Sequence, residues 1–213
     1  MAGNPVQISG DLTVSGDLRV NGAISPPKAK SNILALAELQ SFQIPLTEFR
    51  VWDALQTLLP GTPATDDLGL VGGTFGTATP SIRSEDLKTL GATNKRARFL
   101  VQLPWEYQAG ESVTIRFKAG MITTIAGTSA TIDIEAYKLQ DDPDDAIGSD
   151  LVSTSAASIN SLTFANMDFV ITPTSLSPGD ILDVRLTIAV NDGAGATAVI
   201  AGITSAKLLV DVR

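Results

Sequence analysis

Cysteine and histidine are both absent from the 213 residues of this chain. Without cysteine the chain can form neither a disulfide nor a thiolate metal site. Without histidine it lacks the commonest general base and the commonest metal-binding side chain of proteins. Ser-His-Asp, Cys-His and histidine–zinc chemistry are therefore excluded for this chain alone. We expect a protein that is not an enzyme and that carries no cofactor and no metal.

Basic residues are also scarce, with 15 Lys and Arg against 23 Asp and Glu, and the formal net charge is −8. An acidic protein repels phosphate backbones and anionic lipid headgroups, so we expect no nucleic-acid partner and no membrane partner. No stretch approaches the roughly eighteen apolar residues of a membrane span, and no basic segment followed by an apolar core opens the chain. We therefore expect neither a membrane span nor a secretion signal.

Residues 6–24 alternate between apolar and polar side chains for longer than an ordinary strand. Every even position is apolar or glycine, and the odd positions from 7 to 21 are polar, which predicts extended chain with one apolar edge. A six-residue repeat runs through the segment, and its apolar positions include Ile8, Leu12, Val14, Leu18, Val20 and Ile24. A repeat this narrow cannot bury its own apolar edge. We therefore predict an oligomerisation or attachment arm that pairs between subunits of a homotrimer.

Two other interpretations of this segment stay open. Asn21-Gly22 is a strong hairpin signal, so the segment could fold as a meander of very short strands. Alternatively, the arm is disordered until it adds to the sheet edge of a neighbour. All three interpretations make the segment an attachment device. Residues 25–30, SPPKAK, then form a stiff proline-rich linker.

The repeat SGDLTVSGDLRVNGAI resembles the G-D/N-L-x-V-x-G runs of bacteriophage fibre, spike and other virion proteins. Further along, IPLTEFRVWDAL, ARFLVQLPWEY and SPGDILDVRLTIAV resemble a family of small phage structural proteins with a jelly-roll domain. The first likeness covers only the N-terminal segment, and the second depends on no single diagnostic motif. The resemblance implies a virion component, either a capsid decoration (cement) protein or a short fibre. A decoration protein would bind the major capsid protein at the capsid surface, after synthesis in the host cytoplasm.

The rest of the chain predicts strands. Alternating or apolar segments occupy residues 97–103, 112–120, 130–139, 161–171, 181–190 and 196–212. With weaker segments upstream they make about eight strands at a spacing typical of a β-sandwich. A jelly roll is the preferred topology, and an immunoglobulin-like sandwich is the alternative. We therefore predict an all-β protein with an arm and linker in residues 1–30 and a sandwich body in residues 31–213.

Three segments of the body carry weaker helix signals. Residues 31–42 contain good helix formers without clean helical spacing, so they form a short helix or run extended. Residues 52–59 predict one or two helical turns. Residues 84–91 predict another such turn, with Ser84 as the cap, two acidic residues at the positive end and Gly91 as the terminator. Residues 68–75 predict a strand interrupted by two glycines.

Two acidic groups suggest chemistry. Residues 141–145, DDPDD, offer carboxylates to calcium but lack the D-x-D-x-D-G ladder, so a solvated loop between strands is favoured. A carboxylate pair for glycoside hydrolysis could come from Glu48, Asp53, Asp66, Asp67, Glu85 or Asp86. Spacing along the chain defines no separation for such a pair, and Asp86 better fits the first turn of a helix.

Two further segments suggest contacts. Trp105 and Tyr107 follow a proline and predict a surface contact that stacks on sugar rings; the favoured alternative is that they cap the sandwich or fill a subunit interface. Residues 94–98, NKRAR, either contact an acidic neighbour or, as we favour, lie solvated where a strand begins. Residues 72–76 are rich in glycine but lack the lysine and helix of a phosphate-binding loop.

These observations favour a non-enzymatic virion protein that decorates and stabilises a phage shell as a homotrimer. The alternative is a fibre or receptor-binding module that binds glycans through Trp105, Tyr107 or the acidic loop. A carboxylate-based hydrolase is a third hypothesis, and the missing histidine counts against it.

Overall fold

The computed structural model describes residues 40–63, 65–193, 195 and 197–212. The predicted arm and linker, residues 1–30, lie outside the described residues, as do residues 31–39 of the first weak helix signal. The strands are β1 (Gln40–Ile44), β2 (Arg50–Val51), β3 (Ala54–Leu58), β4 (Gly69–Val71), β5 (Ser81–Arg83), β6 (Thr93–Gln102), β7 (Val113–Met121), β8 (Ser129–Lys138), β9 (Ala157–Ser158), β10 (Ala165–Ile171), β11 (Ile181–Asn191) and β12 (Ala201–Val210). One 3₁₀ turn, Leu46–Glu48, lies between β1 and β2.

The strands form two antiparallel sheets. Sheet 1 has the order β10-β7-β12-β5-β4, with β1 also paired to β12, and sheet 2 has the order β3-β2-β6-β11-β8-β9. The pairs nest: β5 pairs with β12, β6 with β11, β7 with β10 and β8 with β9, while β5 to β8 alternate between the sheets. A long hairpin rolled up in this way is a jelly roll. The predicted all-β jelly-roll sandwich is therefore confirmed, and the immunoglobulin-like alternative is not.

The core lies between the two sheets and follows the predicted alternation. The inward positions of β7, β8 and β11 are buried as the sequence indicates: Val113, Ile115, Phe117, Ile132, Ile134, Ala136, Leu182, Val184, Leu186, Ile188 and Val190. A row of phenylalanines crosses from sheet 2 to sheet 1. The ring centroids lie 4.5 Å apart for Phe49 and Phe99, 6.2 Å for Phe99 and Phe117, and 6.0 Å for Phe117 and Phe169. The Phe49–Phe99 rings are tilted and the other two pairs are edge-to-face, and such aromatic packing adds to the stabilisation from apolar burial.

The two helix predictions within the described residues are wrong. Residues 54–58 of the first segment form β3, which pairs with β2. In residues 84–91 the backbone N–H of Ser84 donates to Ala201 and that of Leu87 donates to Val199, so the segment pairs with the approach to β12. Thr89 has a φ of 61°, which a right-handed helix does not allow. Long-range backbone pairing here overrides a weak local preference. In contrast, the predicted interruption at Gly72 and Gly73 is confirmed, since both have positive φ directly after β4.

Lys95 differs most from its predicted environment. It belongs to the basic run for which we favoured a solvated position, yet it is only 1% exposed. Its ammonium donates to the Thr65 carbonyl and, at 2.6 Å, to Glu85 Oε1. A charge so deeply buried needs such partners, because removal from water is costly. The two contacts hold β6 against the segment before β4, which contains Thr65, and against the segment after β5, which contains Glu85.

Candidate functional site

The outward side chains of sheet 2 form rows that cross three strands. Arg98 on β6 lies opposite Arg185 on β11, and Arg185 lies opposite Glu135 on β8. One row further along, Asp183 on β11 lies opposite Tyr137 on β8. Directly opposite residues in antiparallel strands have side chains close enough to interact. Charged and aromatic groups from distant parts of the chain are thereby gathered on one face.

Two ion pairs lie at the centre of this face. Arg98 Nε donates to Asp183 Oδ1 at 2.7 Å, and a second nitrogen of the same guanidinium donates to Oδ2, so the pair is bidentate. The Arg185 guanidinium lies 2.5 Å from Glu135 Oε2. The hydrogen bond to Asp183 raises the pKa of Arg98, which stays charged. Asp183 is buried although it lies on the outward face, and its carboxylate holds the guanidinium in a fixed orientation.

Trp52 forms one wall of the site. It lies in the turn between β2 and β3, and its indole Nε1 donates to Asp66 Oδ2 at 2.9 Å. The guanidinium carbon of Arg96 lies 5.0 Å from the centre of the ring, and that of Arg185 lies 5.7 Å from it. Cation–π attraction and the hydrogen bond together fix the ring before any ligand arrives. The site is therefore preorganised.

A hollow of about 240 Å³ lies between these groups, lined by Trp52, Arg98, Glu135, Tyr137, Ile147, Asp183 and Arg185. Tyr137 provides a second aromatic side chain. Burial, with a smaller contribution from the Glu135 charge, raises the pKa of its hydroxyl, so it remains a neutral phenol that can donate or accept a hydrogen bond. Aromatic surface and charged hydrogen-bonding groups therefore line the same hollow.

A second hollow of about 360 Å³ continues from the first and shares Arg98, Ile147 and Asp183 with it. Its other lining residues are Lys138, Leu139, Gln140, Asp142, Pro143 and Asp145. They come from the end of β8 and from the loop between β8 and Asp150, whose carboxylate accepts a hydrogen bond from the backbone N–H of Ala136. We call the two hollows together the sheet-2 groove. The acidic loop predicted at residues 141–145 is thus exposed, and it forms one wall of this groove.

The acidic side chains of the described residues differ in what they contact. No group of three or more acidic side chains in the described part of the chain is placed to hold a metal ion. Asp66 binds Trp52, Glu85 binds Lys95, and Asp86 accepts hydrogen bonds from the backbone N–H groups of Val199 and Lys88. Burial raises the pKa of Asp67, and the charges of Asp66 and Asp53 raise it further. These contacts give three of the six proposed hydrolase carboxylates a partner within the chain itself.

The two aromatic residues predicted as a surface contact, Trp105 and Tyr107, lie in different environments in the structure. Trp105 is 75% exposed and its ring lies against Gly179, where a φ of 83° and the lack of a side chain permit the close approach. Tyr107 is only 2% exposed, and its hydroxyl donates to the Glu111 carbonyl at 2.8 Å. Tyr107 is therefore not a surface contact; it packs in the core because its hydroxyl is satisfied locally. Trp105 alone keeps the predicted exposure.

Neither a protein-family model nor a curated protein sequence matches the chain. Among solved structures the chain is similar to a xylan-binding module, CBM15, with 13% identity, a TM-score of 0.40, and coverage of 82% of this chain and 99% of that one. It is also similar to TmCBM61 in complex with β-1,4-galactotriose, with 11% identity, a TM-score of 0.35, and coverage of 63% of this chain and 73% of that one. It is similar as well to bacteriophage CBA120 tailspike protein 4, with 13% identity, a TM-score of 0.37, and coverage of 78% of this chain and 20% of that one. The chain is a jelly-roll sandwich similar in fold to these proteins at low identity.

Sequence reasoning missed the sheet-2 groove. The alternation of β8 and β11 correctly predicts outward positions for Glu135 and Arg185. What it does not give is the strand order and register that bring both residues beside Arg98 and Trp52. The outward Asp-x-Arg of β11 facing the Glu-x-Tyr of β8 was the available signal, because opposite charges on neighbouring strands commonly pair. The six predicted arm residues, from Ile8 to Ile24, lie outside the described residues.

No helix in the described residues is long and apolar enough to cross a membrane.

Proposed function

We propose that the protein is a non-enzymatic glycan-binding module and that the sheet-2 groove is its binding site. The observation that carries the proposal is the combination of two aromatic side chains with two fixed ion pairs in one open groove. Trp52 and Tyr137 supply the aromatic surface, and the Arg98–Asp183 and Arg185–Glu135 pairs supply the polar groups.

The chemistry of a sugar matches this arrangement. A sugar hydroxyl both donates and accepts a hydrogen bond, so it can bind a carboxylate and a guanidinium at the same time. The apolar face of the ring can lie on an aromatic side chain. Fixing the polar groups in advance limits the entropy lost on binding. The hollows, at about 240 and 360 Å³, lie near the lower end of the size range of small-ligand sites, which suits a short stretch of a glycan chain.

We expect Trp52→Ala to weaken glycan binding by about tenfold or more, because the variant removes a preorganised aromatic wall. A glycan array identifies a ligand for the wild-type protein, and titration calorimetry then compares the variants. Trp105→Ala is the matched control, since Trp105 is an exposed tryptophan outside the groove lining. Retained binding in Trp52→Ala with loss in Trp105→Ala would move the site to the loop after β6. No binding by the wild-type protein to any glycan would reject the function.

A second function is favoured by the N-terminal repeat. We propose that residues 6–24 assemble the protein as a homotrimer and attach it to the major capsid protein of a phage, at the virion surface. The support is the unmatched apolar edge of the repeat in the sequence, together with the exposure of residues 40–43 of β1. Among the described residues β1 pairs only with β12, so its other edge is open to a further strand.

Deletion of residues 1–30 is expected to convert a trimer into a monomer, because it removes the apolar repeat proposed to pair between subunits. Sedimentation equilibrium measures the assembly, and co-sedimentation with undecorated shells measures attachment. The fold of the body serves as the control and is checked by circular dichroism. A truncated protein that still forms trimers and still binds shells would exclude this role for the arm.

A further inference from the structure

We propose that the sheet-2 groove selects neutral glycans and rejects anionic ones. This inference depends on the proposed glycan-binding function and names the class of ligand. It comes from the charges that line the groove, and from which of them already have a partner.

Every basic side chain that lines the groove is bound to a carboxylate of the chain. Arg98 is bound to Asp183 and Arg185 to Glu135, as described above. The third, Lys138, has its ammonium 2.8 Å from Asp180 Oδ2. An anionic sugar needs an uncommitted cation, since an Arg or Lys that already has a carboxylate partner offers little net attraction. The described lining holds no such cation.

Two acidic side chains of the lining are not neutralised. Asp142 and Asp145 lie on the loop that forms one wall, and neither takes part in an ion pair within the described part of the protein. Asp142 accepts a hydrogen bond from the backbone N–H of Asp144, which leaves its charge in place. Both residues are exposed and line the second hollow, so their charges act on any ligand that enters it.

The balance of charge in the groove is therefore negative. The lining contains Arg98, Lys138 and Arg185 against Glu135, Asp142, Asp145 and Asp183, and Asp180 adds a further acidic group behind Lys138. The chain as a whole has a formal charge of −8, so the wider field has the same sign. A carboxylate or sulfate on a sugar would be repelled by this field and would also lose its hydration on entering the groove. A sugar hydroxyl carries no charge, so it is not repelled, and the loss of its hydration costs far less than that of an ionised group.

The test compares a neutral pentasaccharide that binds the full-length protein with its uronic-acid or sulfated counterpart, by titration calorimetry at low salt. We expect the neutral sugar to bind at least about tenfold more tightly, because two nearby unit charges in a water-like dielectric change an affinity by about this factor. The double variant Asp142→Asn/Asp145→Asn should raise the affinity for the anionic sugar by a similar factor, so that the ratio of the two affinities moves towards one.

The matched control is Asp141→Asn/Asp144→Asn, which removes the same charge from the same loop but from residues outside the lining. It should change the affinity for the anionic sugar less, because these two charges lie outside the lining and the repulsion between two charges falls with their separation. Equal effects of the two double variants would attribute the selectivity to net charge and overturn a role for the groove lining. Equal or tighter binding of the anionic sugar by the wild-type protein would overturn the inference while leaving glycan binding intact. If no glycan of either class binds the wild-type protein in the initial array, the proposed function is rejected as well.

Discussion

Replacing Phe117 by alanine is expected to lower the free energy of unfolding by about 3–5 kcal/mol. Phe117 is fully buried on β7, and its ring lies between those of Phe99 and Phe169 in the row that joins the two sheets. The substitution removes the transfer free energy of the ring and leaves a cavity that neighbours on rigid strands fill only in part. Urea unfolding followed by tryptophan fluorescence measures the change.

Phe75→Ala is the control for this variant, because the Phe75 side chain is fully exposed in the loop after β4. It should change the free energy of unfolding by no more than about 0.5 kcal/mol. Similar losses from the two substitutions would show that the phenylalanine row does not stabilise the sandwich as described.

The second large effect is expected from Glu85→Gln, which should cost about 3 kcal/mol of stability. The variant removes the hydrogen-bonded carboxylate of the Lys95 ammonium, only 1% exposed, and leaves it the Thr65 carbonyl and the more distant charge of Asp67. A buried charge that loses its hydrogen-bonded counter-charge is far more costly than the absence of the pair. The double variant Lys95→Met/Glu85→Gln should therefore recover most of the loss, and unfolding in urea measures both.

Asp168→Asn is the comparison for an ion pair in a more exposed setting. Its carboxylate makes two hydrogen bonds of 2.6 Å to Arg116, but both side chains are more than a third exposed. Water and salt screen such a pair, so its loss should cost no more than about 1 kcal/mol. If Glu85→Gln were as mild as Asp168→Asn, the proposed cost of the isolated Lys95 charge would be wrong.

The sequence was most informative where one strand has one buried face. In β7, β8 and β11 the alternation of apolar and polar side chains is regular, and the predicted inward positions are the buried ones. Burial of one face fixes which side chains point inward, because a slip of one residue would expose all of them. The fold class follows from several strands of this kind.

The sequence was misleading where distant backbone pairing determines the structure. Residues 84–91 carry cap and terminator signals, yet they extend alongside Val199 and Ala201. Lys95 looks like part of a solvated basic run, and only the placement of Glu85 and Thr65 explains its burial. Tyr107 looks like surface beside Trp105, but a carbonyl four residues later accepts its hydroxyl and allows it into the core. The first two errors come from partners distant in the chain, whereas the hydroxyl of Tyr107 is satisfied by a carbonyl close in sequence.

The sheet-2 groove required information of a further kind. Its residues come from β6, β8, β11, the turn after β2 and the acidic loop, and apart from β8 and the acidic loop that follows it these segments are separated in the chain. Strand order and register place them together. Alternation alone shows that Arg98, Glu135 and Arg185 point away from the core, but it cannot show that they share one row.

The nested pairing of the jelly roll also has a consequence for synthesis. The strand nearest the carboxyl end, β12, lies in the middle of sheet 1, between β7 on one side and β5 and β1 on the other. Residue 83 pairs with nearby residue 69 of β4, but its partner on the other side, residue 202, is made much later. On the ribosome, sheet 1 therefore stays incomplete until residues 201–210 have been made, and closure of the sandwich becomes a late, slow event governed by contacts distant in sequence.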